Sequence, residues 1–216
     1  MNPATPEKLR NLLQDGIDQL GVTLTAAQSK KLLDYLMLLQ KWNGIYNLTA
    51  VREPEQMVKQ HLLDCLAVLP AFQDVQSVLD VGSGGGLPGI VLAIAFPKMQ
   101  VSLIDTVQKK TAFLTQVKVE LGLENVTVLS GRVEQLDNGR KFDVITSRAF
   151  SELKAFIELT SHLLKENGHY IAMKGVFPET EMANLPKGWQ VSKVWPLKIP
   201  GLQAERHLIL MDRSSK

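Results

Sequence analysis

Residues 79–97, LDVGSGGGLPGIVLAIAFP, carry an apolar strand into a helix across a turn with five glycines in eight residues, 82–89. A strand, a glycine-rich turn and a helix in immediate succession admit few folds. The turn has to sit at the carboxyl edge of a mostly parallel sheet, with its helix packed back on that sheet. Without Cβ atoms the turn can tighten and let a ligand approach its backbone, and the start of the helix offers free N–H groups to that ligand. Pro88 suits the first helical turn, where its missing N–H is not needed. The spacing is Asp80-x-Gly82-x-Gly84-x-Gly86, and the next strand, QVSLID, ends at Asp105, 23 positions after Gly82. There a carboxylate can accept hydrogen bonds from both hydroxyls of a ribose. A nucleoside ligand is implied.

The surrounding chain shows what the loop is embedded in. From Thr5 to about Phe72 apolar residues recur at three- and four-residue steps: Leu9, Leu12, Leu13, Ile17 and Leu20, then Leu32, Leu33, Leu36 and Leu39, then Val58, His61, Leu62, Cys65, Leu66 and Leu69. That pattern predicts a helical N-terminal extension over 1–74. From Gln76 onward, short β-branched runs (SVLDV, QVSLID, VTVLS, FDVITS, HYIAMK) alternate with helical stretches over 88–96, 107–121 and 151–165. This is the rhythm of a parallel sheet with crossover helices. After Lys174 the order changes, because only Lys198 to Ala204 separate WQVSKVWPL from ERHLILMD. Those two strands are expected to pair as an antiparallel hairpin at the sheet edge. The chain of 216 residues thus reads as one α/β unit over 75–216 with the helical extension packed on it, since one core usually serves roughly 100–200 residues.

Composition narrows the function classes. The 24 Lys and Arg against 22 Asp and Glu leave a formal charge of +2, so any nucleic-acid surface has to be a local patch. Cys65 is the single cysteine, which excludes an internal disulfide, and without a CxxC or Cys/His cluster no metal is expected. Residues 1–24 are polar and amphipathic rather than leader-like, and no run reaches the roughly eighteen apolar residues of a membrane span. A soluble cytoplasmic protein is expected.

Two ligand readings compete at the loop. Gly84, Gly86 and Gly89 also spell G-x-G-x-x-G, the dinucleotide fingerprint, with Asp105 about 20 residues on. Asp80 favours S-adenosylmethionine instead, because a carboxylate just before the glycines can reach that ligand's amino-acid end; so does the closing hairpin. A tight turn with a purely structural role is the third reading.

VGSGGGLPGIVLAI, taken with SRAFSEL, MKG, ERHLI and the upstream YNLTA and HLLDCL, resembles the bacterial 16S ribosomal RNA guanine-N7 methyltransferase family, RsmG or GidB. The similarity runs from about Trp42 to Asp212, and the motifs LPGI, SRAF and ERHL, in this order, give it its specificity. The resemblance implies a Rossmann-like class I S-adenosylmethionine-dependent methyltransferase fold. It further implies transfer of methyl to N7 of one guanine in the decoding-region loop of small-subunit RNA. By matching position it implies cofactor contacts at Gly82 and Leu87, at Val133 and Glu134 after the third strand, and at Arg148 in SRAF, with the adenine near Arg132 to Glu134. Asp80, Gly84 and Asp105 join that cofactor set from the loop and ribose arguments. The implied partners are 16S RNA or the 30S subunit, with neither membrane nor metal, and a monomer is favoured.

Guanine N7 has an in-plane lone pair and attacks without losing a proton, so no general base is required. Catalysis then consists mainly of holding N7 roughly 3–3.5 Å from the methyl carbon with sulfur directly behind it. Arg148, at the carboxyl end of the fourth strand, is the candidate catalytic residue: its fork can orient guanine O6, contact phosphate or touch the cofactor. The plainer alternative is a structural ion pair with Glu152. Lys109 and Lys110, near Lys118, Arg132, Arg140 and Lys141, form either a phosphate-facing rim or a solvated face. Lys174 and Arg206 are further RNA candidates, and strand alternation lets at most one of Arg206 and His207 line the cleft. His61 and Asp64, with Asn43 and Asn47, either face the site mouth or fasten the helical extension to the sheet. Trp189 and Trp195 read as core. A methyltransferase on another acceptor and a non-enzymatic assembly factor stand as alternative functions.

Overall fold

The computed structural model describes residues 5–214 except 138, 149 and 151. Helix α1 (Pro6–Leu20) starts where the Thr5 hydroxyl accepts the Lys8 N–H, and stops at Gly21, whose φ of 65° closes the helix in the left-handed region. Helix α2 (Ala26–Tyr46) opens with a reciprocal capping box between Thr25 and Gln28. A third, continuous helical segment runs from α3 (Pro54–Met57) through a π-wound stretch (Val58–Leu63) into α4 (Asp64–Leu66). Wide turns of this kind recur at functional segments. Leu9, Leu13, Ile17, Leu32, Leu36 and Leu39 are all buried, as their helical spacing predicts.

Strands β1 (Ser77–Val81), β2 (Gln100–Asp105), β3 (Val126–Ser130), β4 (Phe142–Ser147), β5 (Leu164–Lys174), β6 (Trp189–Pro196) and β7 (His207–Arg213) form a seven-stranded sheet in the order β3-β2-β1-β4-β5-β7-β6. The first five run parallel, and β7 lies antiparallel to both β5 and β6. The chain steps outward from β1 through β3 and then returns to the other side of β1 as β4. This reversal opens a crevice beyond the carboxyl ends of β1 and β4, where open α/β sheets hold their ligands. The crossover helices are α5 (Gly89–Ala95), α6 (Gln108–Glu120) and α7 (Leu153–Thr160). The expected hairpin forms, with its second strand slotted between β5 and the outermost β6.

One boundary differs from the sequence reading. The helix expected over 151–165 stops at Thr160, and β5 begins at Leu164, well before HYIAMK. Leu164 already pairs with Phe142, and the register then jumps to Val144 with His169. Gly168 permits this bulge, since a Cβ there would stand 2.8 Å from the Asp143 carbonyl oxygen.

Alternate residues of β1 serve two different cores. Val78 packs in a cluster with Leu32, Leu36, Leu62, Ile90 and Phe113, whereas Leu79 and Val81 join Phe156, Ile157 and Tyr170 on the other face. Asp80 shares the parity of Val78 and so faces the N-terminal helices. Among the described residues, no helix is long and apolar enough to cross a membrane.

Candidate active site

The glycine loop is closed largely by its own hydrogen bonds. The N–H groups of Gly82 and Ser83 donate to the Ile104 carbonyl, and those of Gly86 and Leu87 donate to the Ser83 carbonyl. Gly82, Gly84 and Gly86 have φ of 67°, 56° and 95°, which an L side chain adopts only with strain. From outside the sheet, the Tyr35 hydroxyl of α2 donates to the Gly85 carbonyl, so the helical extension holds the loop in place. One expectation changes here. The Gly89 N–H, which opens α5, donates to Asp80 Oδ2 at 3.0 Å instead of standing free for a ligand. Asp80 itself is fully buried, and its carboxylate braces the loop from below. Its Oδ1 is the one buried side-chain oxygen or nitrogen among the described residues with no hydrogen-bond partner. Burial pushes the Asp80 pKa up to about 7, against the opposing pull of the Gly89 N–H and the Arg148 charge.

Beyond the ends of β1 and β2 lies a cleft of about 270 Å³ lined by Val81, Gly82, Asp105, Lys110, Val133, Glu134 and Phe150, among others. Gly82, Asp105, Val133 and Glu134, predicted from three separate stretches of chain, converge here. Asp105 is fixed by two backbone donors, Gly84 N–H on Oδ2 and Val107 N–H on Oδ1, both at 2.9 Å. Each carboxylate oxygen keeps a second lone pair, which suits a ribose diol. Lys110 points into this cleft, its Nζ 3.8 Å from Asp105, while Lys109 is exposed. Phe150 was missed in the sequence reading although it ends the quoted SRAF; a Cβ on Gly82 would come within 3.4 Å of its ring. Leu87 is buried and Gly84 acts through Asp105, and neither lines the cleft. The fit to a nucleoside-bearing cofactor rests on this combination: a bare glycine, an aromatic ring and a rigidly held carboxylate around one opening.

A second cavity, of about 340 Å³, lies across the ends of β4, β5 and β7 and is lined by Gln60, His61, Asp64, Arg148, Lys174 and Arg206, among others. Arg148 belongs here. Its guanidinium donates to the Gln60 carbonyl at 3.0 Å and approaches Asp64 Oδ2 at 3.5 Å. The alternative partner, Glu152, instead precedes α7 as its N-cap residue. Arg206 Nε donates to Asp64 Oδ1 at 2.9 Å, so one carboxylate from the helical extension holds arginines from two strands of the sheet. Asp64 is 2% exposed, and burial raises its pKa even though both arginines oppose the shift. His61 is buried between the Thr49 hydroxyl, 2.9 Å from Nε2, and Arg148. Its pKa falls to about 4 through burial and the Arg148 charge, which keeps the ring neutral near pH 7.

Of the adjacent pair, Arg206 lines the cavity; His207 turns away, one ring nitrogen 2.8 Å from the Gly175 carbonyl. Lys174 lines it too and pairs with Glu181 at 2.7 Å. Asn43 accepts the Thr49 N–H and donates to the Val51 carbonyl, a structural role in fastening the segment after α2. Trp189 is half-buried against Tyr170, with Arg213 over its ring, and Trp195 carries Lys193 over its own. Among the described residues, no three His, Cys, Asp or Glu side chains are grouped to hold a metal ion.

Residues 28–209 match the GidB family, rRNA small subunit methyltransferase G. The chain is 62% identical over 209 residues to the ribosomal RNA small subunit methyltransferase G of Herminiimonas arsenicoxydans, covering 95% of this chain and 96% of the relative. To the protein of the same name from Janthinobacterium sp. (strain Marseille) it is 59% identical, covering 94% of each. An S-adenosylmethionine-dependent methyltransferase of known structure from Aquifex aeolicus shares the fold, with a TM-score of 0.53 over 68% of this chain and 89% of that one at 22% identity. The chain belongs to the rRNA small subunit methyltransferase G family.

Proposed function

We propose that this protein transfers methyl from S-adenosylmethionine to N7 of a guanine in 16S ribosomal RNA, acting as a monomer in the cytoplasm, with residues 1–74 serving as an extension of the methyltransferase unit 75–216. The observation that carries the reading is the pair of cavities at neighbouring strand ends, one with a fixed carboxylate and an aromatic ring, the other with clamped arginines. The relatives' names and the sequence motifs support the choice of ribosomal RNA as acceptor and of guanine N7 as its atom.

In this reading Asp105 holds the ribose hydroxyls, Val133 and Glu134 border the base, and Phe150 packs over Gly82. Asp80 and Gly84 stiffen the loop from behind. When bound, the cofactor supplies a sulfonium methyl group. Arg148, whose charge also reaches Asp80, lines the second cavity and orients the acceptor. A fork on guanine O6 leaves N7 open for attack, and holding both reactants in line supplies most of the rate. Asp64 offsets one of the two guanidinium charges, which suits a reaction that leaves positive charge on the base.

The test is methyl transfer from labelled S-adenosylmethionine to 30S subunits from cells lacking this gene, followed by nucleoside digestion and mass spectrometry. Label in 7-methylguanosine is expected. Label in another nucleoside, or donor binding without any transfer, would overturn the acceptor assignment.

A further inference from the structure

The segment just past the acceptor cavity exposes two consecutive apolar side chains. Lys174 and Gly175 line the cavity; the next two residues, Val176 and Phe177, are 79% and 43% exposed. An isolated exposed leucine or valine needs no explanation, but an exposed phenylalanine presents a large apolar face to water. This ring is also held in place. His207 meets Phe177 edge to face, with centroids 5.5 Å apart and planes 71° apart, and His207 is itself tied to the Gly175 carbonyl. Pro178, buried directly after, fixes the far side of the segment. The ring therefore has little rotamer freedom to lose on binding.

The cavity beside it holds three basic side chains, Arg148, Arg206 and Lys174, against two carboxylates that pair with them, Asp64 and Glu181. Aromatic faces interleaved with basic side chains are how proteins grip single-stranded nucleic acid, where splayed bases stack on rings while cations follow the phosphates. A protein partner would be better matched by a broader apolar patch without that charge.

We propose that Phe177 is a base-stacking platform for a nucleotide of single-stranded RNA that flanks the target guanine. A flanking base stacked there would hold the strand at the cavity mouth with the target turned in towards Arg148. The proposal rests on the reading of that cavity as the acceptor site, and it adds a contact outside it.

Steady-state methylation of 30S subunits by wild type, Phe177→Ala, Phe177→Leu and Phe177→Trp tests it, with S-adenosylmethionine affinity by calorimetry as the control for folding. Loss of one stacked base should raise KM for subunits roughly five- to a hundredfold in Phe177→Ala, with donor affinity unchanged. Phe177→Leu should behave like Phe177→Ala, and Phe177→Trp should match or exceed wild type. An unchanged KM in Phe177→Ala overturns the proposal. Full rescue by leucine also overturns it, in favour of an apolar contact with a ribosomal protein. If the wild type binds donor but methylates no subunit, the acceptor reading fails and the stacking platform with it.

Discussion

The two cavities are built by different means. The cleft over β1 and β2 is shaped by backbone: positive-φ glycines, a loop closed on its own N–H groups, and a carboxylate pinned by two peptide donors. The cavity over β4, β5 and β7 is shaped by long charged side chains drawn from segments far apart in sequence, with Arg206 and Asp64 separated by 142 positions. Backbone geometry suits a cofactor that is the same at every turnover. Long side chains from the strand ends, held by a carboxylate of the helical extension, suit a macromolecular acceptor, which has to be read and oriented.

The substitutions that break or sharpen this contrast can be ranked by expected effect. Arg148→Ala removes the orienting group of the second cavity and should lower single-turnover methylation of 30S subunits by at least about a hundredfold, while circular dichroism stays native. Gly89→Ala attacks the backbone-built side. Its Cβ would stand 2.1 Å from Leu103 Cδ2 and 2.8 Å from Asp80 Oδ2, so urea melts should show a loss of about 1–3 kcal/mol. Asp64→Asn attacks the other side: it keeps the shape but frees both arginines from a buried charge. We expect kcat/KM for subunits to fall about tenfold in steady-state methylation assays.

The remaining prediction concerns pH. Asp80 binds its proton more tightly when folded, at about 7 against an ordinary 3.8, so the folded state loses stability as pH rises from about 4 to 7. Asp80→Asn lacks this loss and should gain on wild type across that window, then hold a constant advantage above it. Parallel melts at pH 5 and pH 8 would read it; an equal difference at both would mean that Asp80 stays ionised in the fold. His61 acts in the opposite sense, since its lowered pKa removes stability as pH falls from about 6.5 towards 4. That term is common to both proteins and cancels.

What could be read from sequence follows the same divide. The glycine loop, Asp105 and the alternation of strands and helices are local patterns, and the structure realises them with one shifted boundary at β5. Asp80 illustrates the limit of that legibility: its position before the glycines was plain, but strand parity, which turns it into the helical core, decides what it touches. Asp64 and His61 are legible in the sequence as polar residues that face the site mouth or fasten the extension to the sheet, but their partners Arg148 and Arg206 are not, because these arrive through the folding of the sheet. Phe150 stood inside a quoted motif and went unassigned, since nothing in SRAF alone says that its ring meets Gly82. Contacts made across 84 or 142 positions leave no local spacing to find.

The claim that donor and acceptor are held by separate constructions is tested most directly by titrating S-adenosylmethionine into Asp105→Ala and Asp64→Asn side by side in a calorimeter. The account predicts about tenfold or greater weakening in Asp105→Ala and a change within about twofold in Asp64→Asn. Equal weakening in both, or an unchanged Kd in Asp105→Ala, would contradict it.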